Sequence, residues 1–263
     1  MNQPPTLQGY WADQPSPALA DLPPDLVALL PLGATEQHGP HLPLAVDSLL
    51  TEAVADRALA HLLPDQRVLI LPPLRITKSD EHAAFPGTLA LSAETLLAVL
   101  RDIGAGLARS GVGRLLLFNG HGGNSALLEI AGRDLRARHG MVVAEASWFG
   151  LAELDRAFPP EETARDLQAG LIETAAMLSL RPDLVEMARA EDFDPAQARW
   201  AEEVEMIGLE GQPARPAWLA ADLNPSGACG NAAAADAERG AQILESAARN
   251  LARLLAEMAR FAP

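Results

Sequence analysis

The sequence predicts an α/β fold: a mostly parallel central sheet with helices packed on both faces. Three observations carry this. Between residues 27 and 146, short apolar segments alternate with helical patterns of ten residues or more, and such alternation builds a parallel sheet covered on both sides. The apolar run over residues 26–32 reads as a buried strand. The first and third strands both run into loops that carry histidine, and in such folds the site lies outside the carboxyl ends of the strands. The chain has 263 residues, 49% of them apolar. That is enough for a single core, and one domain over residues 1–263 is expected.

The elements follow in order. Residues 1–24, rich in proline and polar side chains, read as an irregular arm with Tyr10 and Trp11 as anchors. Residues 27–32 form the first strand. Apolar spacing predicts a helix over 48–62 with Asp47 as its cap. Residues 68–71, ahead of Pro72-Pro73, make the second strand. A long amphipathic helix over 93–110 opens at Ser92 and closes at Gly111. Residues 114–118 are the third strand, with Asn119-Gly120-His121-Gly122-Gly123-Asn124 as its exit loop. A helix over 125–139 is stopped by Gly140, and 141–146 form the fourth strand. A helix is expected over 163–179, ending near Pro182. Residues 190–230, with Pro195, Pro213, Pro216 and Pro225, read as loop-rich. The chain ends in a helix over 233–261, with Ile243, Leu244, Leu251, Leu254, Leu255 and Met258 on its apolar face.

Charge and composition exclude several classes. Twenty basic against 35 acidic side chains give a net charge of −15, which argues against a nucleic-acid footprint and against an anionic membrane surface. Cys229 is the single cysteine, so an intrachain disulfide and a thiolate metal cluster are both excluded. Residues 1–17 lack the basic and apolar regions of a secretory signal, and no apolar run is long enough to span a bilayer. The default expectation is a cytoplasmic protein.

The stretch from Gly33 to Asp47 packs two carboxylates and an imidazole into one loop. Glu36 and His38 are two residues apart, so in an extended segment their side chains leave the same face. Asp47 stands just before a helical pattern, from where its carboxylate can point back across the strand end. Such donors suit a zinc-like or manganese-like ion. The alternative is a solvated loop with Asp47 as an ordinary N-cap. His121 has glycine on both sides, which lets the backbone amides of Gly122 and Gly123 approach a ligand. A glycine-rich loop before a helix can instead cradle phosphate. No lysine follows these glycines, though, and the dinucleotide spacing is absent. Glu173 sits among apolar or small neighbours. A buried carboxylate there needs compensation, for which a metal ion is one means and solvent exposure the alternative.

Taken together, Glu36, His38, Asp47, His121 and Glu173 resemble the metal ligands of the creatininase (creatinine amidohydrolase) family. The resemblance covers most of the chain. It runs through Thr35-Glu36-Gln37-His38-Gly39-Pro40-His41, Glu81-His82 with Phe85-Pro86-Gly87-Thr88, and the His121 loop. It continues through Glu173-Thr174-Ala175-Ala176-Met177-Leu178, Ser226-Gly227 and Ala237-Glu238-Arg239-Gly240. It implies a three-layer α/β/α sandwich and a homo-oligomer, usually a hexamer. It also implies hydrolysis of a small-molecule amide C–N bond with two divalent ions of zinc, manganese or iron. Glu36 and His121 would hold one ion, His38 and Glu173 the other, and Asp47 would bridge them. The ions would share a hydroxide whose pKa is lowered to roughly 7, and an amide of Gly122-Gly123 would steady the oxyanion.

Two positions depart from the family. Gln168 stands where the family commonly supplies a histidine five residues before the ligand glutamate, and glutamine cannot shuttle a proton near neutral pH. Gly123 stands where creatininase proper carries a glutamate. Both argue against creatinine as the substrate. Glu81 and His82 are the alternative acids, with Asp166 a third, and Trp148 matches a family tryptophan near the substrate pocket. Three functions follow. The first is an amidohydrolase of a small cyclic amide or formamide. The second is a peptidase similar to that of mycofactocin maturation. The third is a scaffold that keeps metal and binds a ligand without turnover.

Overall fold

The computed structural model describes residues 7–209 and 211–263. The first six residues of the expected arm lie outside the described residues. Five parallel strands, β1 (Gln8–Tyr10), β2 (Val27–Leu32), β3 (Val68–Ile70), β4 (Arg114–Asn119) and β5 (Val142–Ser147), form one sheet in the order β1-β3-β2-β4-β5. The longest helices are α1 (Val46–Leu59), α2 (Ala93–Arg109), α3 (Ser125–His139), α4 (Leu171–Leu180) and α5 (Ala237–Arg260).

The layering follows from residue alternation along the strands. Val27, Leu29, Leu116 and Phe118 face one side, where they pack with Val46 and Leu50 of α1, Met177 of α4 and Leu244 and Leu251 of α5. Ala28, Leu30, Leu32, Leu115 and Leu117 face the other, against Leu96 and Leu100 of α2 and Leu128 and Leu135 of α3. The result is the three-layer α/β/α sandwich. Each fully buried large apolar side chain in these layers contributes roughly 1.5–3 kcal/mol relative to exposure. Both faces of β2 and β4 are covered, so these strands read as apolar runs without polar alternation.

Pro31 sits in the central strand, a place proline normally avoids. Its carbonyl accepts from Leu74 N at 3.0 Å, so its missing N–H faces the same side. There β3 has already ended at Ile70, and no ladder bond is lost.

Three sequence expectations are corrected. Residues 8–10, expected in an irregular arm, form the edge strand β1, held by pairing with β3 and by the Gln8 side chain on the carbonyls of Leu63 and Gln66. The helix expected over 163–179 begins only at Leu171. Ahead of it Gln168 pairs with Cys229, Ala169 takes a left-handed φ of 52°, and Asp166 accepts Ile172 N–H at 2.8 Å. The terminal helix starts at Ala237 because Asp236 caps it, accepting Arg239 N–H at 2.9 Å. No helix among the described residues is long and apolar enough to cross a membrane.

The strand order reverses direction between β2 and β4. Loops leaving these two strands diverge, opening a crevice at the carboxyl edge of the sheet. The loop after β2 carries Glu36 and His38, and the loop after β4 carries His121.

Candidate metal centre

Five donors from four segments converge in that crevice. Glu36 and His38 come from the loop after β2, Asp47 from the first turn of α1, His121 from the loop after β4, and Glu173 from the first turn of α4. All five are buried, none more than 5% exposed. Ligand atoms of Glu36, His38 and Asp47 lie within 4.8 Å of one another. Asp47 stands between the two imidazoles: its Oδ1 is 3.1 Å from His38 Nε2 and its Oδ2 is 3.3 Å from His121 Nδ1. Glu36 Oε2 lies 3.2 Å from His121 Nδ1, and Glu173 Oε1 lies 3.6 Å from His38 Nε2. Asp47 does not cap α1 with its side chain, and it lies inside the helix rather than before it.

The local sequence explains the placement. Asn119 clamps the His121 backbone from both sides, accepting its N–H at 3.1 Å and donating to its carbonyl at 2.8 Å. Asn124 donates to Asn119 Oδ1 at 3.2 Å and closes the loop. Gly120 is required because a Cβ there would collide with Thr51 Oγ1 in α1, which keeps Asp47 next to the loop.

Backbone carbonyls fix both imidazole tautomers. His38 Nδ1 donates to Glu36 O at 3.1 Å, and His121 Nε2 donates to Lys78 O at 2.9 Å. In the neutral rings the other nitrogens carry lone pairs, and these face carboxylate oxygens. Two acceptors at this distance repel unless a proton or a cation lies between them. Burial alone would push His38 and His121 down. For His38 the carboxylates of Asp47 and Glu173 outweigh it, and for His121 those of Glu36 and Asp47 do, so both pKa values stand well above the ordinary imidazole range. Burial would likewise raise Asp47, but the two imidazoles hold it below the usual carboxylate range. Asp47 Oδ2, buried, makes no well-formed hydrogen bond. Three carboxylates and two nitrogen lone pairs turned inward fit divalent cations.

The remaining residues form a cavity of about 630 Å³ beside the donors, lined also by Glu81, His82, Gly122, Gly123 and Gln168. Gln168 Nε2 donates to Glu36 Oε1 at 3.1 Å and to Gln37 O at 3.2 Å. Gln37 is oriented by Gly39 N–H on its Oε1, so its Nε2 donates to Gly227 O and to His82 Nδ1 at 2.7 Å. His82 therefore keeps its proton on Nε2, 3.4 Å from Glu36 Oε1. Burial, with charged His121 and His38 nearby, outweighs Glu36 and Glu81 and lowers its pKa. Glu81 pairs with Lys78 Nζ at 3.0 Å and lies 3.4 Å from His121 Nε2. Burial works against its charge, but these partners hold its carboxyl at about 2. Asp166, also on the cavity, is pushed up to about 8 by burial and by neighbouring Glu173.

Trp148 corrects the sequence reading. It is fully buried and does not line the cavity; it stacks at 4.0 Å on Phe149, which does. The sequence reading also missed Ser79, whose hydroxyl donates to Glu36 Oε2 at 2.5 Å, and Arg215 and Trp218 on the cavity wall. Only the polar run Lys78-Ser79-Asp80 ahead of Glu81-His82 hinted at the first.

Buried carboxylates and imidazoles gathered at a sheet's switch point are the setting of a metal-dependent hydrolase. The chain belongs to the creatininase family: the family model for creatininase, creatinine amidohydrolase, matches residues 12–255. It is 36% identical over 188 residues to creatinine amidohydrolase of Pseudomonas putida, covering 65% of this chain and 71% of that protein. It is also 36% identical over 163 residues to the mycofactocin precursor peptide peptidase of Mycobacterium ulcerans (strain Agy99), covering 60% of this chain and 59% of that one. Among solved structures, a creatininase mutant complexed with creatine superposes with a TM-score of 0.75 at 29% identity, covering 97% of this chain and 99% of that one. Other creatininase structures are of manganese and Zn-Zn forms.

Proposed function

We propose that this protein is a dinuclear metal-dependent amidohydrolase that cleaves an amide C–N bond, with a substrate other than creatinine. The observation that carries the reading is the facing of Asp47 Oδ1 and Oδ2 toward the His38 and His121 lone pairs, 3.1 and 3.3 Å away. Glu36 and His121 would hold one ion, His38 and Glu173 the second, and Asp47 both. When bound, the ions supply Lewis acidity, which lowers the pKa of bound water toward roughly 7 and polarises the amide carbonyl.

The chain's own groups do the rest. Ser79 and Gln168 each occupy one oxygen of Glu36 and fix its rotamer. The Gly122 and Gly123 backbone lies open to the cavity and offers N–H donors to the oxygen that gains charge in the transition state. Glu81 would take a proton from attacking water and return it to the leaving nitrogen, which departs poorly unless protonated; the charged His121 ring that helps hold its carboxyl near 2 would be neutral once it held an ion. His82, held neutral by Gln37, presents Nε2–H to Glu36 and positions that carboxylate rather than carrying the proton. Gln168 orients and does not titrate.

A second reading, cleavage at a peptide end, is favoured by two observations. The cavity, at about 630 Å³, falls within the roughly 300–1,000 Å³ range of pockets that bury ligands larger than a small ring. Mycobacterial peptide peptidases are also as similar to this chain as creatinine amidohydrolase is. The test is metal analysis of purified protein together with a panel of cyclic amides, formamides and short peptides. Two divalent ions per chain are expected, with hydrolysis of at least one class lost in E36A and D47A. Protein without divalent metal, or full activity in those variants, ends the proposal.

A further inference from the structure

The lining of the same cavity includes the strip Arg215-Pro216-Ala217-Trp218-Leu219. The strip is pinned at both ends. Upstream, Ala214 N–H donates to Met206 O and Gly208 N–H to Ala214 O, both at 3.0 Å. Downstream, Leu219 N–H donates to Asp222 Oδ2 at 2.8 Å, tying the strip to the short helix Ala220–Leu223, whose Leu223 is buried. Pro216 restricts the backbone between them.

Charge makes the strip unusual. Five acids border the cavity (Asp47, Asp80, Glu81, Asp166 and Glu173) against two side chains of permanent positive charge, Lys78 and Arg215. Lys78 is already engaged, 3.0 Å from Glu81 and 3.5 Å from Asp80. Arg215 makes no ion pair or side-chain hydrogen bond among the described residues. Arg215 is exposed and lines this acid-bordered cavity, yet it pairs with none of those acids. Trp218, three residues on, is half-buried, and Leu219 leaves 52% of its surface exposed on the same strip. A guanidinium, an indole and an aliphatic side chain lining one cavity are complementary to a carboxylate attached to an apolar group, since the planar fork takes a carboxylate through two parallel hydrogen bonds. On a chain of net charge −15, an anionic substrate meets repulsion elsewhere on the surface and needs a local cation of this kind.

We infer that Arg215 and Trp218 form a subsite for a carboxylate borne by an apolar group, so that the substrate class is a carboxylate-bearing amide. The word substrate rests on the amidohydrolase reading; the subsite does not. The test is calorimetric titration of the metal-loaded full chain with 3-phenylpropanoate and with neutral 3-phenylpropan-1-ol, in wild type, R215Q and W218A. Arg215 is exposed, so R215Q is expected to fold and to keep its metal content. Wild type is expected to bind the carboxylate about tenfold more tightly than the alcohol. R215Q is expected to lose that preference with alcohol binding unchanged, and W218A to weaken both ligands alike. Unaltered carboxylate binding in R215Q, as when the carboxylate simply sits on the metal ions, overturns the inference. So does an unaffected W218A, or wild type that binds no carboxylate. A parallel assay with formanilide and 4-carboxyformanilide separates the two claims. If neither they nor any amide or peptide of the wider panel is cleaved while the R215Q difference in binding persists, the amidohydrolase reading fails and the subsite stands. A short peptide with a free C-terminus, compared with its amidated form, tells a peptide end from a small free acid by which carboxylate shows the larger R215Q effect.

Discussion

Glu81 fills the space that a side chain on Gly123 would need. A Cβ built on Gly123 would collide with Glu81 Oε1 and come within 2.5 Å of His121 Nε2. The loops after β3 and β4 thus share one volume, and only a glycine at 123 lets the Glu81 carboxylate reach the His121 ring.

This interlock predicts a coupling. E81Q should lower kcat about 100-fold, the lower end of what general acid–base groups contribute, with two ions per chain retained. G123A should lower kcat as well by displacing Glu81, and it should cost more than about 1 kcal/mol of stability, because the new Cβ also meets the fixed His121 ring. In the E81Q/G123A double variant the second change should add little. A fully additive double variant would separate the two residues and refute the interlock.

A second prediction concerns the cations. D47N removes the one carboxylate that faces both imidazoles, so metal analysis should find it depleted of both ions, whereas E173Q should keep about one. Chelation of wild type should lower its melting temperature by about 10 °C, the shift expected when roughly 4 kcal/mol of binding is removed from a chain of this size. Added manganese or zinc should restore it. D47N should start near the chelated value and respond to neither treatment; a normal response there would rule out the bridging role.

The sequence disclosed the elements whose stability is local and hid those that depend on distant partners. β2, β4 and α3 match their patterns because apolar runs and caps lie within the segments themselves. β1 did not show, because Gln8-Gly9-Tyr10 has no strand pattern of its own and pairs only where β3 offers an edge. Residues 163–170 have helical composition but turn away to meet Cys229, a contact 61 residues downstream of Gln168. The five donors were legible together, through the resemblance to the creatininase family; read singly, His121 and Glu173 each left a structural alternative open. Arg215 and Trp218 were not legible, since only the tertiary course of the chain brings Leu209 and residues 215–219 to the cavity.

Ala169 supplies a third prediction. It holds a φ of 52°, a left-handed conformation that costs an L-residue about 1–2 kcal/mol, and its N–H donates to Glu173 Oε2 at 2.6 Å. The strain therefore aims a ligand carboxylate. A169G should keep both ions and change stability by less than about 1 kcal/mol, since relieved strain and added chain entropy nearly cancel. A169V, β-branched and fully buried, should lose more than about 2 kcal/mol together with the ion held by Glu173. Unchanged metal content in a folded A169V would show that the Ala169–Glu173 bond does no positioning.

His41 makes the acid side of the stability curve predictable. Its Nε2 meets Thr174 Oγ1 at 2.8 Å, its ring stacks on Phe193, and its Nδ1 is buried without a partner. Burial, reinforced by the charge of His38, lowers its pKa from 6.5 to about 4. In the folded chain the ring is therefore neutral across a window where the unfolded chain binds a proton. The stability this difference supplies is complete above pH 6.5 and is lost as pH falls through about 4. Thr174 neighbours Glu173, so the same protonation loosens the first turn of α4. In urea unfolding of the metal-free protein at pH 7, 5.5 and 4.5, H41F should begin below wild type by about 1 kcal/mol, for the lost Thr174 bond. It should then converge on wild type as the pH drops, because phenylalanine keeps the stack and takes up no proton. Carboxylates that titrate in both proteins cancel in the difference. Parallel curves would mean that His41 charges as readily in the fold as out of it, and that acid lability has another origin.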